Sequence, residues 1–109
     1  MRYVKVYWDH SLANEPMLLF SECSDEGWEI RKIETFRNGR TQSADGTSPD
    51  VSSTRLGLAP VPSVAVIAQQ FEFRPFEIDK IEFEEAWNKA MKASSAGWFL
   101  VRPPLRADS

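Results

Sequence analysis

The chain carries one histidine, His10, and one cysteine, Cys23. His10 follows Asp9, and such a pair can serve as general acid and base, because imidazole titrates near neutral pH and a carboxylate can orient it. The two are adjacent at the end of an extended segment, where neighbouring side chains point to opposite faces, so a structural or solvated turn histidine is expected. Cys23 would be a nucleophile only beside a base, and His10 is the one histidine able to supply it. No local signature joins the pair, and an inert, buried or half-buried thiol is expected. No spacing of Cys, His and carboxylates completes a metal ligand set, so neither a metal nor a cofactor is expected.

Glu22, Asp25, Glu26, Glu29 and Glu34 could in principle supply an acid and a base. Alternation puts Arg31 on the side of Glu29 and Lys32 on that of Glu34, so charge pairing on a wet sheet accounts for them. A second group, Glu77, Asp79, Glu82, Glu84 and Glu85, faces only Lys80, Lys89 and Lys92 within the same stretch. Acids at a helix start are favoured by the macrodipole, and the same ridge would steer a basic protein toward this one. Of the four tryptophans, Trp87 belongs to the core by its helical phase. Trp28, beside an acidic turn, and Trp98, before the tail, are expected at the surface, where such residues anchor interfaces. The candidate partner-binding residues are therefore Trp28, Glu29, Glu82, Glu85 and Trp98. A nucleic-acid platform would need basic flanks that the neighbours of Trp28 lack.

These residues must be positioned by a small domain. With 109 residues, 42% of them hydrophobic and 12% aromatic, the chain is expected to fold as one globular unit. A net charge of -3 argues against phosphate-driven nucleic-acid binding. The single cysteine, the absence of a signal-peptide pattern and the absence of any apolar run near the roughly 20 residues of a membrane helix lead to the expectation of a soluble cytoplasmic protein, with no membrane partner.

Tyr3 to Trp8 alternates as a first strand, and Met17 to Glu22 reads as a second, with Leu18 and Phe20 on one side. Trp28 to Arg37 is a third strand that runs into Asn38-Gly39, a hairpin signal, with Arg40 to Ala44 returning as a fourth. Strict alternation puts Trp28, Ile30 and Phe36 inward and Glu29 and Arg31 outward. Ile33 breaks this parity, which either a bulge between Ile30 and Ile33 or apolar cover on parts of both faces would explain. Asp45 to Thr54 is an exposed loop. Ser63 caps a short helix, and Phe71 to Ile78 is an extended segment that Pro75 confines to an edge or a bulge. Asp79 and Glu82 form a capping box for the clearest helix, to about Ala93, with Ile81, Phe83, Trp87, Ala90 and Met91 as its apolar stripe. Glu85 and Lys89 pair on its exposed side, and Ser94, Ser95 and Gly97 end it.

The blocks YVKVYWDH, EPMLLFSE, GWEIRKIETFRNG, LGLAPVPSV and FEIDKIEFEEAWNKA, in this order, resemble a family of small bacterial domains of uncharacterised function. The likeness spans roughly residues 3 to 90, with WEIRKIETFRNG its most specific block. It carries over no activity and no catalytic residue. Small bacterial domains of this kind are often regarded as immunity partners of secreted toxins.

The expected fold is α+β: an antiparallel meander sheet of four or five strands, packed on one face by the C-terminal helix, with a short second helix at one edge. Residues 1–93 would form the domain and 94–109 an extension. The leading functional expectation is a non-catalytic cytoplasmic binding protein that inhibits a basic bacterial toxin. The alternatives are a small-molecule binder or enzyme with a pocket at the sheet and loop 45–54, and an accessory domain that homodimerises through a strand edge.

Overall fold

A computed structural model describes residues 1–45, 56, 57 and 59–101, with side chains described to residue 92. The strands are β1 (Arg2–Trp8), β2 (Leu18–Cys23), β3 (Glu29–Thr35), β4 (Thr41–Ala44) and β5 (Phe73–Ile78); the helices are α1 (Val64–Ile67) and α2 (Lys80–Val101). The five strands form one antiparallel sheet in the order β4-β3-β2-β1-β5. The first four follow one another as a meander. β5 returns to the far edge, beside β1, where the missing N–H of Pro75 is tolerated.

Register divides the side chains into two layers. Tyr3, Lys5 and Tyr7 of β1 share a face with Leu18, Phe20 and Glu22 of β2 and with Arg31, Ile33 and Thr35 of β3. α2 lies on this face, where Phe20, Ile33, Phe83 and Ala90 form the buried cluster and Ala86 and Trp87 pack against it. The buried stripe of α2 is thus Phe83, Ala86, Trp87 and Ala90, at the i, i+3, i+4, i+7 spacing of one helical face. Ile81 and Met91 fall off that stripe and are exposed. Asp79 Oδ1 accepts from the Glu82 backbone N–H at 2.8 Å, as a cap should, while the Glu82 carboxylate turns to Lys5 at 3.3 Å. The helix does not stop at Ser94, Ser95 or Gly97 but continues to Val101. A single helical glycine costs only about 1 kcal/mol against alanine, and the stronger stop, proline, first appears at Pro103.

The pairing between β2 and β3 shifts between Glu22 and Cys23: Glu22 faces Arg31, but Cys23 faces Glu29. Ile30 is the extra residue. This bulge reverses the strict-alternation reading, bringing Arg31 and Ile33 under α2 and sending Glu29 to the other face. Trp28 lies 47% exposed, as expected of a surface anchor and against the inward placement by strict alternation, whereas Phe36 is buried. The second face is not wet either, since Val4 and Cys23 are fully buried there. Residues 59–62 lie against it, held by the Arg2 guanidinium on the Val61 and Pro62 carbonyls at 3.0 and 2.7 Å and by the Val61 N–H on the Gly27 carbonyl at 2.8 Å.

Gly27 makes that approach possible. Its φ is +97°, and an added Cβ would lie 3.2 Å from the Val61 carbonyl oxygen and 3.3 Å from Pro60 Cβ. Gly39, at φ +87°, has open space around it. Gly27→Ala is therefore expected to destabilise by about 2 kcal/mol and Gly39→Ala by about 1 kcal/mol, the second through backbone conformation alone. Thermal unfolding of the two variants checks this ranking.

Candidate functional site

His10 and Cys23 do not meet. Cys23 pairs with Arg2 at the start of β1, while His10 follows the end of that strand, roughly 20 Å away along it. His10 is a loop organiser: its Nδ1 accepts from the Leu12 N–H at 2.9 Å, its Nε2 donates to the Pro16 carbonyl at 2.8 Å, and its ring packs on Trp8 at 4.2 Å between centroids. Burial pushes the Cys23 thiol above its ordinary pKa, which suppresses the reactive thiolate. No group of His, Cys, Asp and Glu among the described residues is placed to hold a metal ion.

The most strongly coupled charges surround Arg31. Its guanidinium donates to both Glu22 oxygens, at 2.6 and 3.1 Å, and to both Glu84 oxygens, at 3.2 and 2.6 Å. The Phe83 and Trp87 rings lie 4.9 Å from its central carbon, so cation–π attraction adds to the ion pairs. Glu22 comes from the sheet and Glu84 from α2, and Arg31 joins the two layers. Hydrogen bonds from Arg31 hold both carboxyls below their ordinary pKa of 4.5, while burial and the neighbouring Glu22 raise the Tyr3 phenol. A depressed carboxylate contributes stability above its unfolded pKa and loses it as pH falls through the folded one. Denaturant midpoints are thus expected to drop as pH is lowered from 5 toward 3, with a shallower drop in an Arg31→Met variant.

Next to this clamp a cavity of about 430 Å³ opens between α2 and strands β2, β3 and β4. Leu18, Phe20, Ile33, Ala86 and Ala90 give it apolar walls, and Thr35 and Thr41, opposite each other in register, close one side. Small side chains make the room, with Ala86 and Ala90 on the helix and Gly39 at the hairpin. Glu82, Glu85 and Lys89 stand at the rim. Thus two of the residues expected to bind a partner, Glu82 and Glu85, line one site. Trp28 lies at the end of the sheet where α2 begins, because Cys23 faces Glu29 across β2–β3 and Tyr3 faces Ile78 across β1–β5.

Glu29 is not a surface residue. Its side chain is 6% exposed and accepts from Ser21 Oγ at 2.8 Å and from the Gly57 N–H at 2.6 Å, with Lys32 at 3.2 Å. The Trp98 side chain and loop residues 46–54 lie outside the described residues. The Arg31 clamp and the cavity were not anticipated. The clamp was hidden by the bulge, and the cavity by the separation in sequence of Gly39 from Ala86 and Ala90.

The family model for a domain of unknown function, DUF6881, matches residues 2–92. The chain belongs to this family. No curated protein and no solved structure matches it. Every residue of the Arg31 clamp and every wall of the cavity falls within the part that matches DUF6881. No helix among the described residues of this DUF6881 domain is long and apolar enough to cross a membrane.

Proposed function

We propose that this chain is a non-catalytic binding protein of the bacterial cytoplasm that inhibits a basic protein toxin. The observation that supports this reading is the surface running from Phe76 to Glu85. Phe76 is 49% and Ile81 70% exposed, among the exposed carboxylates of Glu77, Asp79, Glu82 and Glu85. Large apolar groups left in water beside like charges suit a partner that covers the first and complements the second. Lys80 is the only base within the run; Arg2 and Lys5 of β1 pair with Glu77 and Glu82, and the acidic charge left at Asp79 and Glu85 would raise the encounter rate with a basic surface. Trp28, at the same end of the sheet, extends the aromatic content. The test is co-expression with the product of a neighbouring gene, scored by pull-down and by growth protection. Protection that survives in the chain but is lost in a Phe76→Ser/Ile81→Glu variant of unchanged melting temperature supports the reading; no partner and no protection sink it.

A second reading, a small-molecule-binding protein, is favoured by the cavity between α2 and β2–β4. Its volume of about 430 Å³ is in the range of ligand pockets, and its apolar walls with few polar groups have the usual composition. Among the described residues the pocket lies beside the β3–β4 hairpin, at Thr35, Gly39 and Thr41.

A further inference from the structure

We infer that this cavity receives a small amphoteric molecule with an apolar body, of the size and class of an aromatic α-amino acid; the inference rests on the small-molecule reading. Two rim residues carry it. Glu85 and Lys89 are both exposed, and neither makes a hydrogen bond or ion pair with another side chain among the described residues, although they stand at a spacing that commonly pairs. One helical turn, about 6 Å of axial rise, separates a carboxylate from an ammonium at the mouth of an apolar pocket. Glu82, by contrast, is engaged by Lys5.

A ligand with a single charge gains one of these rim groups and meets the like charge of the other. A ligand with neighbouring ammonium and carboxylate groups matches both, its ammonium at Glu85 and its carboxylate at Lys89. Its side chain then lies in the groove between Leu18 on the sheet and Ala86 on the helix, over a floor of the nearly buried Phe20, Ile33 and Ala90. Thr35 and Thr41 offer hydroxyls to a polar ring atom such as an indole N–H. Because both charges are at an exposed rim, the expected affinity is weak and salt-sensitive.

Four probes separate the contributions: L-tryptophan, tryptamine, indole-3-propionate and indole, each titrated into the full chain and followed by backbone amide shifts. Tryptophan is expected to shift the Leu18, Thr35, Thr41 and Ala86 amides and to bind at least fivefold more tightly than any of the other three. Glu85→Gln should reduce tryptophan binding to the level of indole-3-propionate, and Lys89→Gln to that of tryptamine. Both are surface changes that keep the fold, and Ala86→Leu should abolish binding of all four by filling the space. Equal affinity for all four would overturn the amphoteric assignment and leave a plain apolar pocket. No shift at these amides up to the solubility limit of tryptophan would overturn the assignment together with the small-molecule reading.

Discussion

Replacing Arg31 with methionine is expected to lower stability by about 3 kcal/mol, which in a domain of this size corresponds to a fall of roughly 15 °C in melting temperature. The reason is the charge left behind. The Glu22 side chain is only 7% exposed, and without Arg31 its carboxylate has lost its cationic partner beneath α2. The methionine stem still covers Phe83 and Trp87 in part, so most of the loss comes from that stranded charge. Two companion variants sharpen the prediction. Arg31→Lys should recover less than half, since one ammonium cannot serve two carboxylates with four directed hydrogen bonds. Adding Glu22→Leu to Arg31→Met should recover most of it, because the pair is then removed together. Chemical denaturation of the three proteins at neutral pH decides the matter; an Arg31→Met chain as stable as its parent would mean that the clamp contributes nothing.

Phe83→Ala carries the other large effect, with an expected loss of about 3–5 kcal/mol. Phe83 is 0% exposed at the centre of the cluster, packed on Tyr3 at 5.4 Å and stacked on Trp87 at 6.4 Å between centroids. Truncation removes the helix's main contact with the sheet and one of the two rings against Arg31. Ile81, two residues earlier and 70% exposed, is the control: Ile81→Ala should change stability by no more than about 0.5 kcal/mol. Equal effects at the two positions would show that α2 is rotated from the orientation described.

That rotation was only half legible in the sequence. Phe83, Trp87 and Ala90 declare the buried face, but Ile81 and Met91 are as apolar as they are, and a stripe this wide is compatible with more than one helical phase. Phase is settled by what lies opposite, namely Tyr3, Phe20 and Ile33. β3 presented the harder case. The sheet itself, its edge proline and the Asn-Gly turn follow from local chemistry, which is why the strands stand where alternation puts them. A bulge obeys no period, however, and the one at Ile30 moved Arg31 from solvent to the layer interface and Glu29 from the surface to a buried anchor for Gly57. In the candidate site, Glu82 and Glu85 were singled out by charge alone. The cavity beside them depends on tertiary distance between small residues far apart in the chain, and no window of sequence contains that distance.

The place of β5 bears on how the protein is made. β1 leaves the ribosome first and can pair with β2 within a few residues, but its other edge, from Tyr3 to Trp8, has to wait for Phe73 to Ile78. Throughout that interval a nascent chain holds an open strand rich in valine and aromatic residues, together with the Phe20 and Ile33 surface that α2 will cover. Such a species can capture another of its kind as readily as its own missing strand. The order of synthesis therefore makes the β1 edge the point where crowded translation, a stalled ribosome or truncation before residue 73 would divert this small domain into aggregates.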